Sequence, residues 1–463
     1  MRRYLLMAVV AAVAATLTGS AAADGAPARA AARGTGAAPG AQLWVARYND
    51  RTGGYDAAHA LAVSPDGSTV FVTGDSWSGS NVTGRDYATV AYSAATGRQL
   101  WISRYSGQGE RTDIPWSVAV SPDGSRMFVT GQSTVRPHGD DYVTIAYAAA
   151  SGKRLWLSRY HGPGNGSSDA AALAVSPSGT MVFVTGESLG AGGNSDYATV
   201  GYDAATGRQV WVSRYDGPAH SNGFATAVAV GPGGGTVFVT GESPGRTSSG
   251  DYATAAYSAA TGRQLWVARY NGPANGDDSA TAITVSPGGA TVFVTGTISG
   301  AGSAAADYAT LAYSAATGRR LWVSIHKKGF AHGIAVNPDG TAVYVTGERG
   351  YDGGYLTVAY GAATGRQLWL SRYGEGAAGS VAVSPDGTTV YVTGGTGAGY
   401  DGYATVAYSA AAGNQLWASS YDGPASLGSA CCVAVSPDGT TVFVTGGSYG
   451  RTDYDYVTVA YRG

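Results

Sequence analysis

His59, Trp116, His332 and Cys431 occupy one common place in four copies of a repeated segment, and Asp75, Glu187, Glu242 and Glu348 share a second. Carboxylates gathered at one mouth could bind calcium through oxygen ligands, with Glu187 and Glu242 as the pair to hold it, or take a sugar or a cationic ligand. Calcium–oxygen bonds reach only about 2.3–2.6 Å, so carboxylates spaced more widely than that would instead be solvated loop ends. His59 and His332 fall in copies that are not neighbours. A shared metal would need both within about 2 Å of one ion, so wall residues that hydrogen-bond or stack are the better reading. Trp116 offers an aromatic face for a sugar or a flat cofactor, or a plug for the mouth. Cys431 and Cys432 are adjacent and are the only cysteines. In an exported protein they form a vicinal disulfide, or they fill small apolar slots as free thiols.

The element that must position these groups is the repeat. In its third copy Ala171–Val175 alternates small and branched residues and ends in the turn Ser176–Gly179. Met181–Thr185 and Tyr197–Tyr202 follow across a variable loop, and Ala204–Gly207 turns the chain into Gln209–Ser213. Short runs rich in Val, Thr, Tyr, Phe and Trp, bounded by Gly or Pro, are strands. The Trp of the fourth strand recurs at 44, 101, 156, 211, 266, 322, 369 and 417. A near-constant period of about fifty residues with four strands per period predicts an all-β, eight-bladed propeller of antiparallel blades. The first strand, Gln42–Tyr48, is a fourth strand with no first three, and the last, Asp455–Tyr461, is a third with no fourth. The N-terminal strand should therefore close the last blade.

Antiparallel order puts the first-to-second turn and the third-to-fourth turn on one face. Both are short and nearly the same in every copy. The opposite face carries loops of varying length and content, where function concentrates. Positions that differ between copies mark the site. Five before the Ser of Ser-Pro-Asp-Gly stand His59, Trp116, Ala171, Thr226, Thr281, His332, Gly379 and Cys431. After the Gly that ends the second strand stand Asp75, Gln132, Glu187, Glu242, Thr297, Glu348, Gly395 and Gly447. Both rings should lie at the channel mouth. The Asp that opens most third strands, Asp86 and its copies, reads as a turn acceptor with optional surface pairing to Arg104 and its copies.

Ala91–Trp101, AYSAATGRQLW, resembles the tryptophan-docking motif of the pyrroloquinoline-quinone (PQQ) propeller family, which implies eight blades with each Trp packed between neighbours. Val383–Gly394, VSPDGTTVYVTG, resembles the YVTN-type bacterial propeller repeat. The first resemblance implies PQQ stacked in the channel, calcium on the acidic ring and a carboxylate taking the substrate proton, as in quinoprotein dehydrogenases. Some alcohol-oxidising members carry a vicinal cysteine pair beside the cofactor, but here the pair lies in the last blade. The second resemblance is the only pointer to a lactonase- or lyase-like enzyme.

The formal net charge is -2 and there is no basic run, which gives no case for nucleic acid or an anionic membrane. Arg2 and Arg3, the apolar run Tyr4–Leu17 and Ala21–Ala23 make residues 1–23 a secretory signal peptide, so a secreted, extracellular protein is expected. Residues 24–41 read as a disordered Ala/Gly/Pro-rich linker, and 42–463 as a single propeller domain. No later run is long and apolar enough to span a membrane. No nucleophile elbow, zinc-binding helix pair or phosphate loop is present. The leading reading is a monomeric binding or interaction module for an extracellular ligand or protein, with the enzyme readings as alternatives.

Overall fold

The computed structural model describes residues 37–50, 54–77, 84–107, 112–135, 139–299, 306–350, 353–397, 401–450 and 453–463. The expected signal peptide and most of the expected linker lie outside these residues. Among those described, 32 strands form eight four-stranded antiparallel sheets. Blade one is Asp56–Val63, Thr69–Trp77, Arg85–Ser93 and Gln99–Tyr105, in chain order from the axis outward. Blade eight is Gly428–Val435, Thr441–Tyr449 and Tyr454–Arg462, completed by Gln42–Tyr48. The ring is closed by the N-terminal strand, as the sequence predicts. No helix among the described residues is long and apolar enough to cross a membrane.

Second and third strands are buried on both faces because each blade is covered by its two neighbours. That is why they read as near-continuous apolar runs rather than alternating ones. Threonines inside the blades bond to each other across strands, Thr73 to Thr89 at 3.0 Å for example. Buried tyrosines tie blade to blade: the Tyr142 hydroxyl donates to Ala198 O of the next blade at 3.1 Å. Seven of the fourth-strand tryptophans do the same at the outer edge. Trp211 donates its indole N–H to Ala259 O at 2.8 Å and lies flat on Gly262. Gly262 has φ +70°, and a Cβ there would stand 2.6 Å from the Trp211 ring. Only glycine fits both the left-handed turn and the indole.

Trp417 of blade seven meets the same arrangement built from both ends of the chain. It packs on Gly40, at φ +77°, and the Ser419 hydroxyl donates to Gly40 O at 2.5 Å. Gly40 N–H donates to Arg462 O at 2.9 Å, as Gly97 N–H does to Ser93 O at 2.8 Å in blade one. Ala38-Pro-Gly40 thus plays the part of Ala95-Thr-Gly97. Residues 38–40, which fall within the segment expected to be linker, take part in these contacts.

The pairing of the third-strand Asp with the fourth-strand Arg is more than the surface electrostatics expected for it. Asp86, Asp141, Asp251, Asp307 and Asp455 are buried. Arg214 binds Asp196 Oδ2 at 2.8 Å and donates to Ser188 Oγ at 2.9 Å and to the Tyr160 hydroxyl of the preceding blade at 2.9 Å. Arg47, Arg104, Arg159 and Arg269 make the same tyrosine bond. Blade five has Ile325 at this place, and Lys327 reaches Asp307 instead, at 2.8 Å.

Candidate functional site

Each of the eight variable inner-strand positions is the extra residue of a β-bulge. The register slips between Ala58 and Ala60, leaving His59 unpaired, and likewise around Trp116, Ala171, Thr226, Thr281, His332, Gly379 and Cys431. A bulge re-aims one side chain without disturbing the strand beyond it. All eight are partly exposed between buried neighbours, so they line the channel wall. Thr226 and Thr281 turn their hydroxyls to the next blade, donating to Ala280 O at 2.8 Å and Ala331 O at 2.9 Å. They lock the wall rather than face a ligand.

Blades eight, one and two differ from the rest. His59 Nε2 pairs with Asp75 Oδ1. Arg85 Nη1 stands 3.1 Å from Asp75 Oδ2, and Asp75 is fully buried. The Trp116 ring lies 4.7 Å from His59, and its indole N–H donates to Gln132 Oε1 at 3.2 Å. Arg85 also lies over the Tyr55 ring at 4.8 Å. Tyr55 stacks on Tyr454 at 4.7 Å, and Tyr449 meets Tyr454 edge-on at 5.0 Å. Tyr55 and Tyr449 are 37% and 43% exposed, so this cluster presents aromatic surface to the outside. The Tyr454 ring fills the space a side chain at Gly447 would need.

Of the nine residues singled out in the sequence, the structure brings His59, Asp75 and Trp116 together in this cluster. Cys432 joins the same seam, its thiol donating to His59 O at 3.1 Å. Cys431 and Cys432 are not bonded to each other in this structure. Adjacent strand residues point to opposite sides: Cys431 is the bulge residue, while Cys432 is turned onto blade one. His332 and Glu348 belong to blade six, away from the cluster, and burial alone pushes the His332 imidazole down to about 4. Glu242 and Glu348 have carboxyls raised by burial, Glu242 further by the nearby Asp277. Among the described residues no three His, Cys, Asp or Glu side chains converge as a metal centre. Glu187 and Glu242 belong to successive blades. The donor set does not fit a calcium–PQQ pair. Asp75 is engaged by His59 and Arg85, and the two wall threonines are turned into backbone carbonyls. A hollow of about 350 Å³ lined by Asp386, Tyr391 and Asp438 lies on the opposite, turn-bearing face, away from this cluster.

Tyr55, Tyr449, Tyr454 and Arg85 were not among the residues marked in the sequence. One signal existed. Arg85 and Tyr454 both precede the third-strand Asp, and each answers the residue of the second ring in its own blade, Asp75 and Gly447.

A family model described as outer membrane protein assembly factor BamB matches residues 29–194, 178–310 and 306–452. The chain belongs to that family. Its repeats are those of a PQQ-like propeller, and solved structures share the fold of this BamB-family chain. Sqt1 of Chaetomium thermophilum matches 91% of it and 98% of its own length at 13% identity, with a TM-score of 0.61. The same protein bound to the N-terminus of the ribosomal protein L10 matches at 14% identity and 0.59, covering 91% of this chain and 100% of that one. BamB from Moraxella catarrhalis matches at 17% identity and 0.51, covering 91% and 97%. No curated protein sequence matches the chain.

Proposed function

We propose that this BamB-family chain is an exported binding module for a polypeptide partner, with its site at the loop-side mouth over blades eight, one and two. The observation that carries the proposal is the cluster of Tyr55, Tyr449, Tyr454, Arg85, Asp75, His59 and Trp116 on one sector. The equivalent wall positions elsewhere hold Ala171, Gly379, a lone His332 and two threonines bonded to the next blade. Exposed aromatics beside a fixed guanidinium are typical anchors of protein recognition. A propeller of this fold is seen holding the N-terminus of another protein. The export part of the proposal rests on residues 1–23.

The test is selection of peptides from a displayed library on the purified protein, followed by affinity measurement. Selected peptides should lose about tenfold in affinity or more on Tyr55→Ala or Tyr449→Ala, both surface truncations. They should bind the Thr297→Ala variant, on the far side of the ring, unchanged. Binders indifferent to both tyrosines would remove this site.

A further inference from the structure

The partner's chemistry follows from charge, and this inference rests on the binding role just proposed. The two faces of the disc carry opposite charge. Among the described residues, the variable-loop face holds 22 Asp and Glu against 11 Arg and Lys, and the turn face 6 against 10. Over blades seven and eight the one basic side chain described on the loop face is Arg47, which is bound to Asp455 and Tyr421. From Tyr373 to Gly450 the sequence has no Lys or Arg. The loop face there presents Glu375, Asp401 and Asp422, all exposed, and blade seven, like blade five with Ile325, lacks the clamping arginine and has Ser420 in its place.

This acidic sector adjoins the tyrosines. Asp401 bridges to Gly428 at the start of blade eight, the blade that supplies Tyr449 and Tyr454. Arg85 over Tyr55 shows how a guanidinium lies on this aromatic surface. The three carboxylates come from separate loops and do not converge as a metal centre, so the ligand that satisfies them carries several positive charges along its length. A low-dielectric rim lined by one sign of charge focuses the field and steers such a ligand in. We propose that the partner is a Lys/Arg-rich polypeptide segment, held by Glu375, Asp401 and Asp422, with an arginine laid on the exposed ring of Tyr449.

Fluorescence anisotropy of the full chain with labelled nona-arginine, nona-lysine, nona-glutamate and a Gly/Ser peptide tests it. Both basic peptides should bind and weaken steadily with added salt, while the other two should not bind. Combining Glu375→Gln, Asp401→Asn and Asp422→Asn should weaken nona-arginine by about tenfold. Asp386→Asn with Asp438→Asn removes charge from the same two blades on the turn face and should leave it unchanged. Equal losses from both sets, or no binding of either basic peptide, would overturn the inference. If selected peptides need Tyr55 but carry no basic residues, the binding role stands and the charge assignment fails. If nona-arginine binds through the three carboxylates and ignores Tyr55 and Tyr449, the charge assignment stands and the aromatic site fails.

Discussion

At the scale of single residues, burial sets the titration behaviour. The Asp113 carboxyl is pushed up to about 6 by burial, against bonds from Ser133 and the Gly107 N–H that favour its charge. The folded state therefore holds this proton more tightly than the unfolded chain. The penalty is full above pH 6 and is relieved as pH falls from about 6 to about 4. Asp113→Asn should raise stability at pH 7.5 by up to about 2 kcal/mol in urea unfolding, and the gain should vanish near pH 4. His332 has the opposite sign. Its imidazole is pushed down from 6.5 to about 4, so its contribution is present above pH 6.5 and lost as pH falls toward 4. His332→Gln should remove that loss, seen as a smaller fall in Tm between pH 6.5 and pH 4. The bulge was legible in the sequence only as a position free to vary between small, repeated neighbours. A partly exposed bulge side chain is not constrained by blade packing, whereas Ala58 and Ala60 beside His59 are.

At the scale of strands and turns, the tryptophan dock was legible because packing fixes its residues in every copy. Gly262→Ala would force a left-handed alanine into the Trp211 ring, and it should cost about 2 kcal/mol or more in chemical unfolding. Trp211→Phe should cost about 1–3 kcal/mol, since the Ala259 carbonyl loses its donor inside the interface. The arginine clamp was only half legible. Its Asp and Arg are close in sequence, but its tyrosine comes from the preceding blade, about fifty residues back. Blade five keeps Asp307 and faces Tyr270, with Ile325 between the two roles. Ile325→Arg should restore the missing clamp and raise stability by about 1 kcal/mol. An unchanged Tm would mean that Lys327 already supplies all that the arginine gives elsewhere. Tyr55 and Tyr449 stayed hidden because they sit at loop ends, where copies differ in length, while Tyr454 could be found only from its place before the third-strand Asp.

At the scale of the whole molecule, eight blades and the closing strand followed from the period and from which strands were missing at each end. A chain starting at Ala37 should melt as the full chain does. One starting at Asn49 leaves Tyr454–Arg462 as an open edge and Trp417 without Gly40, and should unfold at a clearly lower temperature in calorimetry or aggregate. The way the two ends meet has a topological consequence. Gly463 N–H donates to Thr440 O at 2.8 Å, the bond that Ala94 makes to Ser68 O at 2.9 Å, while Ala38 stands where Ala95 does. Ala94 and Ala95 are consecutive residues, so a peptide bond from Gly463 to Ala38 would make the backbone an endless circle with no linker added. In that circle every blade is equivalent in connectivity, and new termini could be cut at any of the seven other outer turns. Such a circle cannot fray from an end, and its unfolded form has less conformational freedom to gain, so it should outlast the linear chain on heating.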